Sequence, residues 1–284
     1  MIAIIASYRR AAAILLRASV CLMVGAFGNS AHAQGRLKAH YTISMTGVSI
    51  GQIVWFVAIG EQRYTAFANG KASGVLSALV NGEGSVDTRG SVVDGRLTPK
   101  FFTSKITDDE GNSELRMNFD DGVVKELIAK EPPPRLDRVP VTDADRRGVA
   151  DPLTAMLMSA GDDALAASNC NHVLSVFDGR RRYDLALSFK RVDKIAIERS
   201  YSGFVLVCGV ILQPIAGYRA DSMLVKYVAG RRDMELWFVP IAGTSIIAPI
   251  RVTMPTLIGT LEIQADQFEM PAPSPVTTPS VLPR

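Results

Sequence analysis

The chain has 284 residues, of which 48% are hydrophobic and 21% are charged, and this balance is typical of a folded protein with a substantial core. Lysine and arginine together number 31 against 28 acidic residues, so the formal net charge is only +3. Such a weak positive charge gives little electrostatic support for binding to nucleic acid.

Residues 1–33 have the features of a secretory signal peptide. Three arginines precede a short apolar run, residues 18–27, and Ala31-His32-Ala33 fits an A-x-A cleavage site. The apolar run has about ten residues, roughly half of the ~20 that a membrane-spanning helix needs. We therefore predict an exported protein that is cleaved after Ala33 and is not an integral membrane protein.

Cleavage would leave a mature chain without formal net charge. The predicted signal carries three of the basic residues and no acidic residue, so 28 basic and 28 acidic residues remain. The basic character of the whole chain therefore belongs to the signal, and we predict no nucleic-acid partner.

Alternating apolar and polar residues predict a β-rich domain over residues 34–269. The alternation is strict between Leu37 and Thr46. It recurs in four later segments: residues 53–59, 115–119, 183–189 and 204–212. A period of two indicates strands that bury one face against a core.

The segment from Gly47 to Gly51 matches the G-x-S-x-G pattern of serine hydrolases. A nucleophile elbow requires a strand, a sharp turn and then a helix. Here β-branched and aromatic residues typical of a second strand follow, and the only histidines after the signal, His40 and His172, lie in polar surroundings. We therefore interpret Gly47 as a turn residue, Gly51 as a bulge residue and Ser49 as non-catalytic.

Dipeptides of the Asn-Gly and Asp-Gly type predict tight turns between strands. Five of them occur: Asn69-Gly70, Asn81-Gly82, Asp94-Gly95, Asp121-Gly122 and Asp178-Gly179. The favoured hairpin turn needs positive φ at both central residues, which these residue types tolerate. Frequent turns without long helices between them predict an all-β fold, namely an antiparallel, strongly curved sheet that forms an open barrel or spiral.

Residues 130–168 interrupt the β pattern and predict a long crossover that contains one short helix. Three prolines near its start favour an extended path. Asp151-Pro152 fits a helix N-cap and first helical residue, and Leu153, Met156 and Leu157 would form the apolar stripe. The crossover would either cover an opening in the sheet as a lid or connect two β halves through a core helix.

The chain ends in a proline-rich segment, residues 270–284, that carries little charge and shows no alternation. This composition predicts a disordered tail.

Two cysteines, Cys170 and Cys208, remain after the signal is removed. In an oxidising compartment an even pair predicts one disulfide bond. The alternative is a pair of buried thiols that pack as small apolar side chains.

Other chemical motifs are sparse. Arg180, Arg181 and Arg182 follow a predicted turn, where they would contact an anion or form ion pairs within a solvated hairpin, for example with Asp184. The acidic segment at 107–114 lacks the spacing of a calcium loop. Zinc, phosphate-loop and haem motifs are absent from the sequence, so we predict no catalytic residue, no metal and no cofactor.

Several segments occur in an order that characterises one family of exported proteins. They include TGVSIG at 46–51, ADPLTAML at 150–157, VFDGRRRYDLAL at 176–187 and the closing run that ends at 263. This order resembles the DUF3108 family of Gram-negative bacteria over about residues 37–268. The resemblance implies a periplasmic protein, but the family has no defined function, so it supplies no site residues.

We predict a periplasmic, non-catalytic envelope protein that binds a lipid or another apolar, envelope-derived ligand on the concave face of its sheet. Five aromatic residues are candidates for the lining of that face, with core packing as the alternative: Trp55, Phe101, Phe102, Trp237 and Phe238. The other hypotheses are a periplasmic hydrolase with scattered carboxylates and a scaffold that contacts envelope proteins through an exposed sheet edge. A packed interior with an open edge would favour the scaffold.

Overall fold

A computed structural model of the chain describes residues 35–73, 82–108, 111–130, 137–198 and 200–271. The predicted signal and residues 272–284 of the predicted tail lie outside these ranges. Within the described ranges, no helix is both long enough and apolar enough to cross a membrane.

Strands dominate the described part of the chain. They are β1 Gly35–Met45, β2 Val48–Ile59, β3 Arg63–Ala72, β4 Gly82–Val93, β5 Arg96–Asp108, β6 Gly111–Asp120, β7 Val123–Lys130, β8 Met158–Ser159, β9 Val173–Phe177, β10 Arg182–Ala196, β11 Ser202–Ala216, β12 Met234–Pro240, β13 Ile246–Thr256 and β14 Gly259–Glu269.

The strands form one antiparallel sheet with the spatial order β7-β6-β5-β4-β3-β2-β1-β14-β13-β12-β11-β10-β9, and β8 pairs separately with β13. The first and last strands, β1 and β14, thus pair in the middle of the sheet. A meander of consecutive hairpins extends outward from each of them. The sheet does not close, because β7 and β9 remain its edges. This architecture confirms the predicted antiparallel, open fold.

Tight turns form at most of the predicted dipeptides. Asp94-Gly95 joins β4 to β5 with φ values of 49° and 71°, and Asp121-Gly122 joins β6 to β7 with 47° and 67°. Thr46-Gly47, at the start of the G-x-S-x-G segment, joins β1 to β2 with φ values of 51° and 82°. Gly179 has a φ of 91° in the β9–β10 loop. Of the fifth pair, Asn81 lies outside the described residues.

The predicted turn at Asn69-Gly70 is wrong. Both residues lie inside β3, where Asn69 pairs with Val54 of β2 and Gly70 with Ile53. The strand also pairs with β4 along most of its length. The ladders on both sides stabilise an extended backbone there and override the local preference for a turn.

Three clusters of buried side chains make up the core. The first joins β1–β3 to β11–β13, the second lies beneath the crossover and includes the two cysteines, and the third joins β5–β7 to the end of β9. Strands β11 and β12 are buried on both faces, since Val207 and Trp237 belong to the first cluster and Leu206 and Phe238 to the second. Their almost uninterrupted apolar sequence follows from this double burial.

The predicted crossover helix is present but short. Helix α1, Pro152–Ala155, has one turn, and the carboxylate of Asp151 accepts hydrogen bonds from the backbone N–H groups of Leu153 and Thr154, each at 3.0 Å. A second helix, α2, Met223–Ala229, was not predicted. Its seven residues are too few to show a helical period, although the Ser222 hydroxyl caps it.

The predicted disulfide is confirmed. Cys170 ends a 3-10 turn at Ala167–Cys170 in the crossover, and Cys208 lies in the middle of β11. Their Cα atoms are 5.5 Å apart, inside the ~7 Å limit for a bridge. The bond therefore fastens the end of the crossover to the sheet.

Candidate functional site

A groove of about 800 Å³ opens at the end of the sheet where the crossover passes. One wall is the β4–β5 turn with the first residues of β5, and the other is the start of β9, residues 172–175. The floor is formed by crossover residues between Gly148 and Gly161. We call this feature the β9 groove.

Strand β9 presents unpaired backbone groups to the groove. The C=O of His172 accepts a hydrogen bond from the N–H of Leu187 at 2.9 Å, so residues 172, 174 and 176 direct their backbone groups toward β10. Val173 and Ser175 therefore direct theirs away from β10. Within the described residues, no hydrogen bond is made by the N–H or C=O of Val173 or by the N–H of Ser175.

The crossover covers only the far end of this strand edge. Ala150 forms a single parallel bridge with β9, in which its N–H donates to Ser175 C=O at 2.9 Å and its C=O accepts from Phe177 N–H at 3.0 Å. The preceding Gly148 has a φ of 63°, which turns the chain away, and Val149 N–H donates instead to Gly122 C=O at 3.0 Å. The crossover thus bridges Val123 of β7 through Arg147 and Val176 of β9 through Ala150, and it leaves the start of β9 open.

The side chains around the exposed edge combine an apolar floor with a charged rim. Val173 is 57% exposed, an unusual state for valine, and it lines the groove beside Leu157 and Met158. Arg96 and His172 are exposed residues at the rim. Such a surface offers backbone pairing, apolar contact and a few polar contacts at once.

A buried polar network fastens the crossover to the inside of the sheet. The Asp151 carboxylate accepts hydrogen bonds from the hydroxyls of Thr154 at 2.6 Å and Thr88 at 2.9 Å, and the Tyr64 hydroxyl lies 2.6 Å from that of Thr154. All four residues are buried. Burial raises the pKa of Asp151 and also that of Tyr64. The network contains one carboxylate, so it does not supply the carboxylate pair of a glycoside hydrolase.

A known protein family matches most of this chain in sequence. The family model described as a protein of unknown function, DUF3108, matches residues 40–266. The chain belongs to the DUF3108 family. No curated protein matches it. A solved structure, the β-barrel-like protein of domain of unknown function DUF1849 from Brucella abortus, is 11% identical, with 85% of this chain and 100% of that chain covered and a TM-score of 0.48.

The five aromatic residues that were candidates for a ligand lining do not meet in one pocket of this DUF3108 protein. Trp55 and Trp237 belong to the first core cluster, Phe238 to the second and Phe102 to the third. Phe101 instead contacts two arginines. The guanidinium groups of Arg89 and Arg116 lie 4.3 and 5.6 Å from its ring centre. This placement favours the alternative that these side chains are packing residues.

Trp237 lies among charged side chains. The guanidinium groups of Arg191 and Arg251 lie 5.0 and 4.6 Å from its ring centre, and its Nε1–H donates to Glu235 at 2.9 Å. Arg191 also donates two hydrogen bonds to Glu235, at 2.9 and 3.1 Å. These bonds lower the pKa of Glu235 to about 2. Glu235 is thus held ionised at neutral pH.

The three consecutive arginines have separate internal partners. Arg180 donates to the Ser113 hydroxyl at 2.8 Å, Arg181 lies 3.7 Å from the Asp178 carboxylate, and Arg182 lies 2.6 Å from Asp184. The structure therefore does not bring the three guanidinium groups together around one position. The ion pair between Arg182 and Asp184 agrees with the sequence-based prediction of a pair with Asp184. Among the described residues, no group of three or more His, Cys, Asp or Glu side chains is arranged to hold a metal ion.

Ser49 lies in β2 opposite Ser44 and is exposed, and a bulge at Ile50 precedes Gly51. A strand, not a helix, follows the turn, so the elbow geometry is absent from this segment. We expect Ser49→Ala to change the free energy of unfolding by less than about 0.5 kcal/mol. Chemical unfolding checks this, and a larger loss of stability, or a folded variant that has lost the cellular role of the protein, would contradict it.

Proposed function

We propose that this DUF3108 protein is an exported, non-catalytic envelope protein that binds an extended segment of a partner polypeptide. The partner would add a strand to the exposed start of β9. One observation carries this proposal: the outward N–H and C=O of Val173 and the outward N–H of Ser175 face a groove of about 800 Å³ without partners in the described chain.

The chemistry of the edge favours a polypeptide over an apolar small molecule. Two donors and one acceptor lie in a row along an extended backbone, and another extended backbone presents the complementary row. An apolar ligand would cover these groups without satisfying them, at a cost in free energy. A peptide satisfies the backbone groups and places alternate side chains on the apolar floor and toward solvent.

The rest of the molecule supports a scaffold more than an enzyme or a carrier of apolar ligands. The aromatic residues that were candidates for a lining are distributed over the core clusters or stacked against arginines. The buried carboxylate of Asp151 is occupied by hydrogen bonds that hold the crossover in place. A packed interior with an open strand edge is the pattern expected of a binding scaffold.

Two features support export to the periplasm. The sequence of residues 1–33 has the charge, apolar run and cleavage site of a signal peptide. The Cys170–Cys208 bond is of a kind that forms and persists in oxidising compartments and is rare in the cytosol.

Val173→Pro tests the proposed strand addition. The substitution removes an N–H that points away from β10, so the β9–β10 ladder retains its hydrogen bonds. The probes are linear peptides selected against the wild-type protein from a random phage-displayed library. We expect their Kd to weaken by about tenfold or more, since one backbone hydrogen bond and the fit of the strand are lost.

Ser175→Ala is the matched control. It removes the hydroxyl that donates to Asp184 at 2.8 Å but retains the outward backbone N–H, so the selected peptides should bind as they do to wild type. Melting temperatures of both variants report whether the fold is intact. Unchanged peptide binding by a folded Val173→Pro variant would refute strand addition at β9.

A further inference from the structure

Two hairpin turns lie side by side at one end of the sheet. The β1–β2 turn and the β13–β14 turn are joined by a hydrogen bond of 2.9 Å from Thr46 N–H to Thr260 C=O. Met45 pairs with Val48 on one side and with Leu261 on the other. We call residues 45–48 and 256–261 together the hairpin tip.

The hairpin tip exposes aliphatic side chains on a fixed backbone. Ile258 is 80% exposed, and Leu257 and Val48 are each 53% exposed. The Thr256 hydroxyl donates to Gly259 C=O at 2.7 Å, and a side chain at position 259 would collide with Thr46. The two turns are therefore closely packed against each other and present their apolar residues together.

Charge is absent from this part of the chain. Neither residues 41–60 nor residues 252–261 contain a lysine, arginine, aspartate or glutamate. Thirty residues of average composition for this chain, which is 21% charged, would contain about six charged residues. The hairpin tip thus carries no charge, and the nearest charged residues in β13 and β14 are Arg251 and Glu262.

We propose that the hairpin tip docks the protein on a lipid bilayer by inserting Ile258, Leu257 and Val48 below the head groups. The tip is exposed, uncharged and aliphatic, which suits a fluid hydrocarbon boundary. Protein interfaces are instead enriched in aromatic residues and arginine, and the tip has neither. The polar side chains of the tip belong to Thr46, Thr256 and Thr260, which carry no charge into the interface.

The position of the tip is compatible with binding in the β9 groove. Turns of an antiparallel meander alternate between the two ends of the sheet, so the β1–β2 turn lies at the end opposite the β4–β5 and β6–β7 turns. The latter two border the β9 groove. A protein docked by its tip would therefore hold the groove away from the bilayer.

Flotation with lipid vesicles tests this proposal on the mature, disulfide-bonded protein. We expect binding to neutral phosphatidylcholine vesicles, with no increase when phosphatidylglycerol is added and no loss in high salt, because an uncharged tip gains nothing from surface potential. Ile258→Asp should lower the partition coefficient about tenfold or more, since the most exposed aliphatic side chain becomes charged.

Ile215→Asp is the matched control, because Ile215 is 41% exposed in β11 outside the hairpin tip. It should float as wild type does, and melting temperatures verify that both variants fold. Three results would overturn the proposal: normal flotation of Ile258→Asp, binding restricted to anionic vesicles and lost in salt, or a tip-dependent dimer in sedimentation velocity without flotation. Peptide binding in the β9 groove is measured separately and does not depend on this outcome.

Discussion

Reduction of the Cys170–Cys208 disulfide should lower the free energy of unfolding by about 4 kcal/mol. The bond closes a loop of 38 residues, and in the chain-entropy model its main effect is to restrict the unfolded chain. Both cysteines are buried in the second core cluster beneath the crossover. Such a loss is a large part of the ~5–15 kcal/mol net stability of a typical domain.

Chemical unfolding of oxidised and reduced protein measures this effect. Cys170→Ser and Cys208→Ser should each lower stability, and the double variant should show no additive loss, because either substitution already removes the same bond. Reductant should have no effect on the double variant. Titration of two free thiols in protein purified without reductant would contradict the prediction.

Loss of the Asp151 side chain is expected to have the second-largest effect. Asp151→Ala removes the N-cap of α1 and the carboxylate that accepts from the buried hydroxyls of Thr88 and Thr154. The Thr88 hydroxyl keeps the Phe101 C=O as an acceptor at 3.2 Å, and the Thr154 hydroxyl keeps that of Tyr64 at 2.6 Å. Cap loss costs about 1 kcal/mol and loss of the buried hydrogen bonds about 1–2 kcal/mol, so we expect about 2–3 kcal/mol of destabilisation. Chemical unfolding of Asp151→Ala measures this loss. The comparison variant is Asp151→Asn, which retains an acceptor for the N-cap.

The Asp151 carboxyl also predicts a direction of pH dependence. Burial raises its pKa above the ordinary value of 3.8, so the folded state favours the neutral form. The contribution of this carboxyl to the free energy of unfolding is then fully present below the unfolded-state pKa. It is lost as the pH rises through the folded-state pKa. We expect the stability of wild type relative to Asp151→Asn to fall as the pH rises from about 4. If the stability of wild type relative to Asp151→Asn instead rises with pH, the hydrogen bonds to Asp151 lower its pKa by more than burial raises it.

Features that depend on neighbouring residues were predictable from the sequence. The alternation from Leu37 to Thr46 predicts β1, Asp94-Gly95 predicts its turn, and Asp151-Pro152 predicts the start of α1. In each case the cause is local: the period of a half-buried strand, positive φ or a cap. The disulfide was predictable because the predicted signal peptide implies an oxidising compartment and leaves only one pair of cysteines.

Features that depend on distant strands were not predictable. Tyr64 and Thr88 lie 90 and 63 residues from their partners in the buried network, and no local pattern joins them. Phe101 and Phe102 are adjacent, yet strand geometry directs them to opposite faces, and the sequence does not say which face is covered. Val173 alternates like any strand residue, and it lies on an exposed edge only because the crossover turns away at Gly148.

Residue-resolved hydrogen exchange of the amides in β9 tests strand addition most directly. In the free protein the amides of Val173 and Ser175 should exchange fast, because they point into the groove without partners in the described chain. Those of Leu174 and Val176 point toward β10 and should be protected in both states. Saturation with a selected peptide should protect Val173 and Ser175. Unchanged exchange at both amides in the saturated protein would contradict binding at this edge.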